Sequence, residues 1–286
     1  MSRIAYVNGR YVPHARAAVH IEDRGYQFAD GVYEVTAVYG GRFIDADRHL
    51  DRLERSLAEL RIARPMTRRA LKVVMRQMVR RNRLVNGLIY MQVTRGVAPR
   101  DHPFPMSSTN AIVLTARHTP LFDAAAEDGV DVITLPDIRW KRCDIKSVAL
   151  LPNVLGKQEA RDAGAYEAWL VDEAGYITEG TSSNAWIVTS AGELLTRHAD
   201  QAILNGITRR ALLDLAAAEG VKFAERAFTV AEAHAAREAF LTSSTSFVKP
   251  VARIDGHALG NGQRGSLTRK IAAYYAQHLD AQGSAA

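Results

Sequence analysis

The stretch GVYEVTAVYGGRFI alternates apolar and polar side chains about the pair Gly40-Gly41. A few residues later Leu50, Leu53, Leu57 and Leu60 recur at intervals of three and four. Period two belongs to a strand with one buried face, and the longer period to a helix with one apolar stripe. A chain that switches period so quickly has to pack short strands against helices, because neither element can bury its own apolar face alone.

The same reading extends along the first 118 residues. RIAYVNG and RYVP flank Asn8-Gly9, the strongest short hairpin signal. Helices are expected from about Asp47 to Ile62 and from about Thr67 to Leu84. The strands GLIYMQVTRG and NAIVLTAR follow, on either side of the proline-bearing loop GVAPRDHPFPMSST. Residues 1–118 therefore read as an α+β domain. HTPLFDAAAEDG has weak periodicity and a proline, which places a linker at 119–129.

Residues 130–286 read as a mixed α/β domain. They begin with the strand VDVITLP and a loop holding Lys146. The helix NVLGKQEARDAG and the strand EAWLVD come next, and then a hairpin of NAWIVT and ELLTR. The helix ITRRALLDLAAAEG ends at Gly220, and Thr229 with Glu232 predicts a capping box. The strands EAFLTS and VKPVARIDG precede a last helix from about Leu267 to Leu279.

A hydrophobic share of 47% and a charged share of 24% over 286 residues are those of a soluble globular chain with room for one large or two modest cores. The opening MSRIAYVNGRYVPHARAAV has no continuous apolar run, and no later run reaches spanning length, so neither a signal peptide nor a membrane partner is expected. One cysteine, Cys143, excludes an intramolecular disulfide framework and points to a reducing, cytoplasmic location. The net charge of +6 raises nucleic acid as a partner. Many of the cations, however, lie in TRRALKVVMRQMVRRNR, an amphipathic helix with a basic outer face. It lacks the interleaved aromatics of a stacking platform, so no nucleic-acid partner is expected.

Lys146, in WKRCDIKSVAL, stands between a charged run and an apolar one. A partly desolvated lysine can lose its proton and become a nucleophile, and the alternative is an ordinary surface cation. Three loops, TEGTSSN, LNGITRR and LTSSTS, are rich in small polar groups. In LNGITRR a glycine leads into a helix whose first N–H groups form an anion site, although simple capping would use the same residues. Glu179 in TEGTSSN is either an exposed turn carboxylate or a buried partner for a heteroaromatic nitrogen. A lysine, a phosphate cradle and a carboxylate are together the minimum set for pyridoxal 5'-phosphate. No metal site is expected.

These residues, in this order, resemble the class IV, fold-type IV aminotransferases, most closely those acting on D-amino acids. The carriers are EDRGYQFADGVYEV, HLDRL, YMQVTRG with PRDHPFP, DIRWKRCDIKS, KQEARDAGAYEA, TEGTSSN, LNGITR and TSSTS, in register over nearly the whole chain. The resemblance implies the two-domain D-amino acid aminotransferase fold and a ping-pong transamination from a D-amino acid such as D-alanine to a 2-oxo acid such as 2-oxoglutarate. It implies that Lys146, rather than Lys157 inside the expected helix, carries the cofactor and moves the substrate's α proton. Glu179 is implied as the partner of the ring nitrogen, and Leu204 as packing behind the ring. Arg52, Gly206, Ile207, Thr208, Ser243 and Ser244 are implied around the phosphate, with Ser244 standing where relatives often have threonine. Tyr33, Arg100 and His102 are implied to trap the substrate carboxylate, and Arg95 to be structural. A homodimer is implied as well. Branched-chain L-amino acid aminotransferases, R-selective amine transaminases and aminodeoxychorismate lyases share the fold and remain alternatives.

Overall fold

The computed structural model describes residues 3–120 and 129–284, so most of the expected linker at 119–129 lies outside the described residues. The chain divides into two compact units. One comprises the described residues up to Pro120 with Ile145–Ala149 and the end of the last helix. The other comprises residues 129–144 and Leu150–Asp280.

In the first unit the strands are β1 (Ile4–Val7), β2 (Arg10–Pro13), β3 (Gly31–Tyr39), β4 (Arg42–Phe43), β5 (Gly87–Thr94) and β6 (Ala111–His118). The helices are α1 (Arg24–Phe28), α2 (Ala46–Glu59) and α3 (Arg68–Asn82). The strands form one sheet in the order β2-β1-β6-β5-β3-β4, and its pairs are antiparallel. Asn8 and Gly9 both take positive φ, 45° and 91°, which gives the hairpin a turn that matches the strand twist. The leucine stripe of α2 lies buried beside β3, and Leu71, Val74, Met75 and Met78 of α3 complete the core. Burying each of these large apolar side chains contributes roughly 2 kcal/mol.

Both helices stop earlier than their periodicity suggests. Arg61 and Arg83 take left-handed φ of 54° and 50°, and Leu84 N turns back to Val79 O at 3.0 Å. The basic face of α3 is met by α2: Arg68 bonds Asp47 at 2.8 Å and Asp51 at 2.5 Å, and Lys72 pairs with Asp47 at 2.5 Å.

The second unit holds β7 (Val130–Pro136), α4 (Leu151–Asp162), β8 (Glu167–Val171), β9 (Ile177–Gly180), β10 (Asn184–Val188), β11 (Leu194–Thr196) and α5 (Ile207–Ala218). After them come β12 (Phe223–Glu225), α6 (Val230–His234), β13 (Glu238–Ser243), β14 (Phe247–Ile254), β15 (His257–Ala258) and α7 (Ser266–Ser284). Its sheet runs β12-β11-β10-β13-β14-β7-β8-β9, with β15 on β14. The pairs β14–β7, β7–β8 and β11–β12 are parallel and the others antiparallel, so the sheet is mixed. Trp169, Ile187, Phe228 and Leu241 form part of its core. The expected capping box is present, with Thr229 accepting from Glu232 N and Glu232 from Thr229 N. At the end of α5 the cap residue is Glu219, and the expected Gly220 follows it at φ 64°.

The segment holding Lys146 is expected in the second domain, and the structure corrects this. Residues 145–149 group with the first unit because they run alongside the start of β3. Tyr33 N donates to Lys146 O at 3.0 Å, Val148 N to Gly31 O at 3.0 Å, and Ile145 is buried in the first core.

Candidate active site

Lys146 is held by its backbone. Its N–H donates to Ser56 Oγ at 3.3 Å, its carbonyl accepts from β3, and Ser147 bridges to Val32. Ile145 points into the core, so the next side chain emerges on the other side, half-buried. There the Lys146 ammonium lies 4.2 Å from the centroid of the Tyr33 ring, which stacks on Tyr90. Lys157, the competing lysine, sits on α4, bonded to Tyr166 O and 3.4 Å from Glu167.

Arg52 is not the helix-surface arginine that its position in HLDRL alone would suggest. It is 8% exposed, and its Nε and Nη2 bond the two oxygens of Glu34 at 2.7 and 2.8 Å. His49 Nδ1 lies 2.7 Å from the same carboxylate. Burial pushes the Glu34 carboxyl up, but the Arg52 charge and the hydrogen bonds from Arg52 and His49 outweigh it, and its pKa falls to about 2. Burial moves His49 the other way, below its ordinary value, with Glu34 opposing.

Arg100 and His102 are exposed, and both approach Phe28: the Arg100 guanidinium lies 5.2 Å from its ring and the His102 ring 5.5 Å. Their loop hangs on Arg24, which is 3% exposed. Arg24 donates to Asp101 O at 2.6 Å, His102 O at 3.1 Å and Asp30 at 2.8 Å. Asp30 also binds Arg95, whose other bonds go to Leu60 O and Arg61 O, which accounts for Arg95 structurally. Arg100 and His102 therefore converge, while Tyr33 belongs to the Lys146 neighbourhood. Among the described residues no hydrogen bond or ring contact joins Tyr33 to either of them.

In the second unit Glu179 lies inside β9 rather than in an exposed turn, and it is 5% exposed. Its Oε1 accepts from Arg139 at 2.5 Å, its Oε2 from Asn184 at 2.9 Å, and both oxygens face Leu204 N at 3.1 Å. Asn184 also donates to Leu204 O at 2.9 Å, which fixes the half-buried Leu204 to the same strand end. Sequence reading missed Arg139 and Asn184. The signal was available in DIRW, where Asp137 and Arg139 stand two apart in an extended segment, and in the asparagine that closes TEGTSSN.

Leu204 leads to Gly206, the N-cap of α5. A Cβ there would stand 2.1 Å from Asn184 Oδ1, so only glycine fits. As glycine it brings no side-chain cap to the helix start at Ile207 and the 3% exposed Thr208, where the first N–H groups point out of the helix. In the last loop Ser243 Oγ bonds Thr245 and Ser246 at 2.9 and 2.8 Å, and the half-buried Ser244 bonds none of the described side chains. The hydroxyls of Thr181, Ser182 and Ser183 are taken up by the buried Glu167 instead. Burial pushes the Cys143 thiol pKa up to about 12, which keeps it protonated near neutral pH.

The first unit offers a half-buried amine, and the second a buried carboxylate ringed by fixed donors and a helix start that carries the Thr208 hydroxyl; these are the kinds of group that pyridoxal phosphate requires. Among the described residues no His, Cys, Asp or Glu cluster suits a metal, and no helix is long and apolar enough to cross a membrane. The sequence pattern of the family described as amino-transferase class IV matches residues 31–254. The chain is a class IV aminotransferase. This family works with pyridoxal phosphate. The aminotransferase is 42% identical over 264 residues to a D-alanine aminotransferase of Bacillus licheniformis, covering 92% of this chain and 93% of the relative. It is 39% identical over 276 residues to the D-alanine aminotransferase of Listeria innocua, covering 96% and 95%. Among solved structures, the branched-chain aminotransferase of Thermoproteus uzoniensis with norvaline matches with a TM-score of 0.87 and 26% identity, over 98% of this chain and 96% of that one. The Escherichia coli branched-chain amino acid aminotransferase shares the fold, with a TM-score of 0.89 at 24% identity over 97% and 94%.

Proposed function

We propose that this aminotransferase moves the amino group of a D-amino acid, D-alanine foremost, to a 2-oxo acid such as 2-oxoglutarate by a ping-pong route. The reading is carried by the Arg100 and His102 pair, two groups able to hold a carboxylate, poised on Phe28 and Arg24 in a chain with 42% identity to a D-alanine aminotransferase.

In this reading Lys146 Nζ carries the cofactor and takes the α proton of the bound amino acid, and the Tyr33 ring keeps the amine in place through its cation-facing side. Glu179 holds the proton of the cofactor's ring nitrogen, with Leu204 behind the ring. Arg52, Gly206, Ile207, Thr208, Ser243 and Ser244 anchor the phosphate. When bound, the cofactor supplies the electron sink that makes the α carbon acidic. Tyr33, Arg100 and His102 select the carboxylate and with it the donor's handedness.

A homodimer fits the exposed Ile21 and Tyr26, at 77% and 76%, as apolar surface for a second copy. A reducing, cytoplasmic location agrees with the single cysteine.

A donor panel tests the reading: D-alanine, L-leucine and L-valine with 2-oxoglutarate, and D-glutamate with pyruvate, because a donor paired with its own oxo acid gives no net reaction. D-alanine should be the best of the four, with parallel double-reciprocal lines. If L-leucine is the faster donor, the branched-chain reading that the structural neighbours suggest replaces this one. Arg100→Ala should raise KM for D-alanine by about 10- to 100-fold, the value of one charge-assisted hydrogen bond, and leave the melting temperature almost unchanged because Arg100 is exposed. An unaltered KM would remove Arg100 from the carboxylate trap.

A further inference from the structure

We infer that Arg139 is a positioning residue that holds the Glu179 carboxylate ionised and aimed, so that the proton shared with the cofactor stays on the ring nitrogen. The inference rests on the reading of Glu179 given above.

Arg139 is fixed on every side. Asp137 takes Nε at 2.9 Å and Nη2 at 2.7 Å, and Nη2 also donates to Ala202 O at 3.0 Å and Thr178 Oγ1 at 3.3 Å. Thr178 in turn donates to Asp137 at 2.8 Å. With the fork clamped this way, Nη1 points at Glu179 Oε1 at 2.5 Å. Arg139 and Glu179 have side chains 6% and 7% exposed, so solvent screens the pair little. The clamp also acts on Asp137. Burial raises its carboxyl, but the hydrogen bond and charge of Arg139 prevail and hold it below its ordinary value.

The electrostatics have a definite sign. A proton between a carboxylate and a pyridine nitrogen can rest on either. A cation in contact with the carboxylate stabilises the ionised acid more than it destabilises the more distant protonated ring. Arg139 therefore favours the charged pair, the state in which the ring accepts electrons. Without it the buried carboxylate gains proton affinity and the ring loses its proton.

A cavity of about 590 Å³ lies against Asp137, Arg139, Thr178 and Ala202. It is large enough to admit a free guanidinium ion to the place that a truncated Arg139 would vacate, which supplies the test.

Arg139→Ala holoenzyme, reconstituted with cofactor enriched in nitrogen-15 at the ring, is compared with wild type by NMR near neutral pH. The wild-type nitrogen should be protonated and the variant's unprotonated. The variant's kcat should fall about 10- to 100-fold with a smaller change in donor KM. Added guanidinium should restore both signals saturably, and sodium chloride at equal ionic strength should not. If Arg139→Ala does not fold, Asp137→Asn reads the same quantity, with a partial loss expected because one arm of the clamp is weakened. A protonated nitrogen and turnover within about 2-fold of wild type in the folded variant would overturn the role of Arg139 alone. An unprotonated nitrogen in wild type would overturn the reading of Glu179, and this inference with it.

Discussion

Lys146→Ala is expected to lower kcat for transamination by at least about 10⁴-fold, because in the proposed function one side chain both carries the cofactor and moves the α proton. The loss will not come from unfolding. The structural bonds of this segment run through the Lys146 backbone, to Ser56 Oγ and from Tyr33 N, and they survive truncation to alanine. Borohydride reduction of the wild-type holoenzyme followed by peptide mapping should find the cofactor mass on the peptide containing Lys146. Lys157→Ala should stay within about 2-fold of wild type, since that amine is spent on the Glu167 carboxylate and the Tyr166 carbonyl. A label on the Lys157 peptide, or surviving turnover in Lys146→Ala, would move the chemistry to another amine.

The family of the chain was legible in the sequence, whereas the surroundings of the candidate Lys146 were legible only in part. Asn8-Gly9, the leucine stripe of α2 and the Thr229–Glu232 box depend on residues a few positions apart, and each appears in the structure as its pattern predicts. The placement of Lys146 beside β3 depends on Tyr33 and Gly31, more than a hundred residues away, and no local period reports such a pairing. Strand β9, which buries Glu179, is four residues long and exists through its pairing with β8, so TEGTSSN looked like a turn. Arg52 reads as a surface arginine until Glu34, eighteen positions earlier and on a different element, is brought against it. The charged pairs at the candidate residues, Arg52 with Glu34 in the first unit and Arg139 with Glu179 in the second, are tertiary facts. Their residue types were visible, and their partners were not.

Glu34→Gln is expected to cost about 3–5 kcal/mol of stability near neutral pH, because it leaves the Arg52 guanidinium buried without its counter-charge. The sign of the pH dependence follows from the folded-state pKa of about 2, depressed from 4.5. The unfolded chain then binds the proton more readily than the folded one. The Glu34 contribution is thus complete above the unfolded value of 4.5 and is lost as pH falls from there through about 2. His49 acts in the same direction at higher pH: its folded value is depressed, so stability declines as acid charges the unfolded chain first. Glutamine keeps the shape of the side chain and one acceptor, and it removes both the charge and its titration. Urea unfolding of wild type and variant should therefore show a wide gap near neutral pH that narrows by about pH 3, because the unfolded wild-type chain takes up the Glu34 proton there while the folded one does not. The variant should also bind pyridoxal phosphate more weakly, since Arg52, proposed to anchor the phosphate, loses the carboxylate that orients it. A stability gap that stays constant across that range would assign the loss to packing around β3 rather than to the Glu34–Arg52 charge pair.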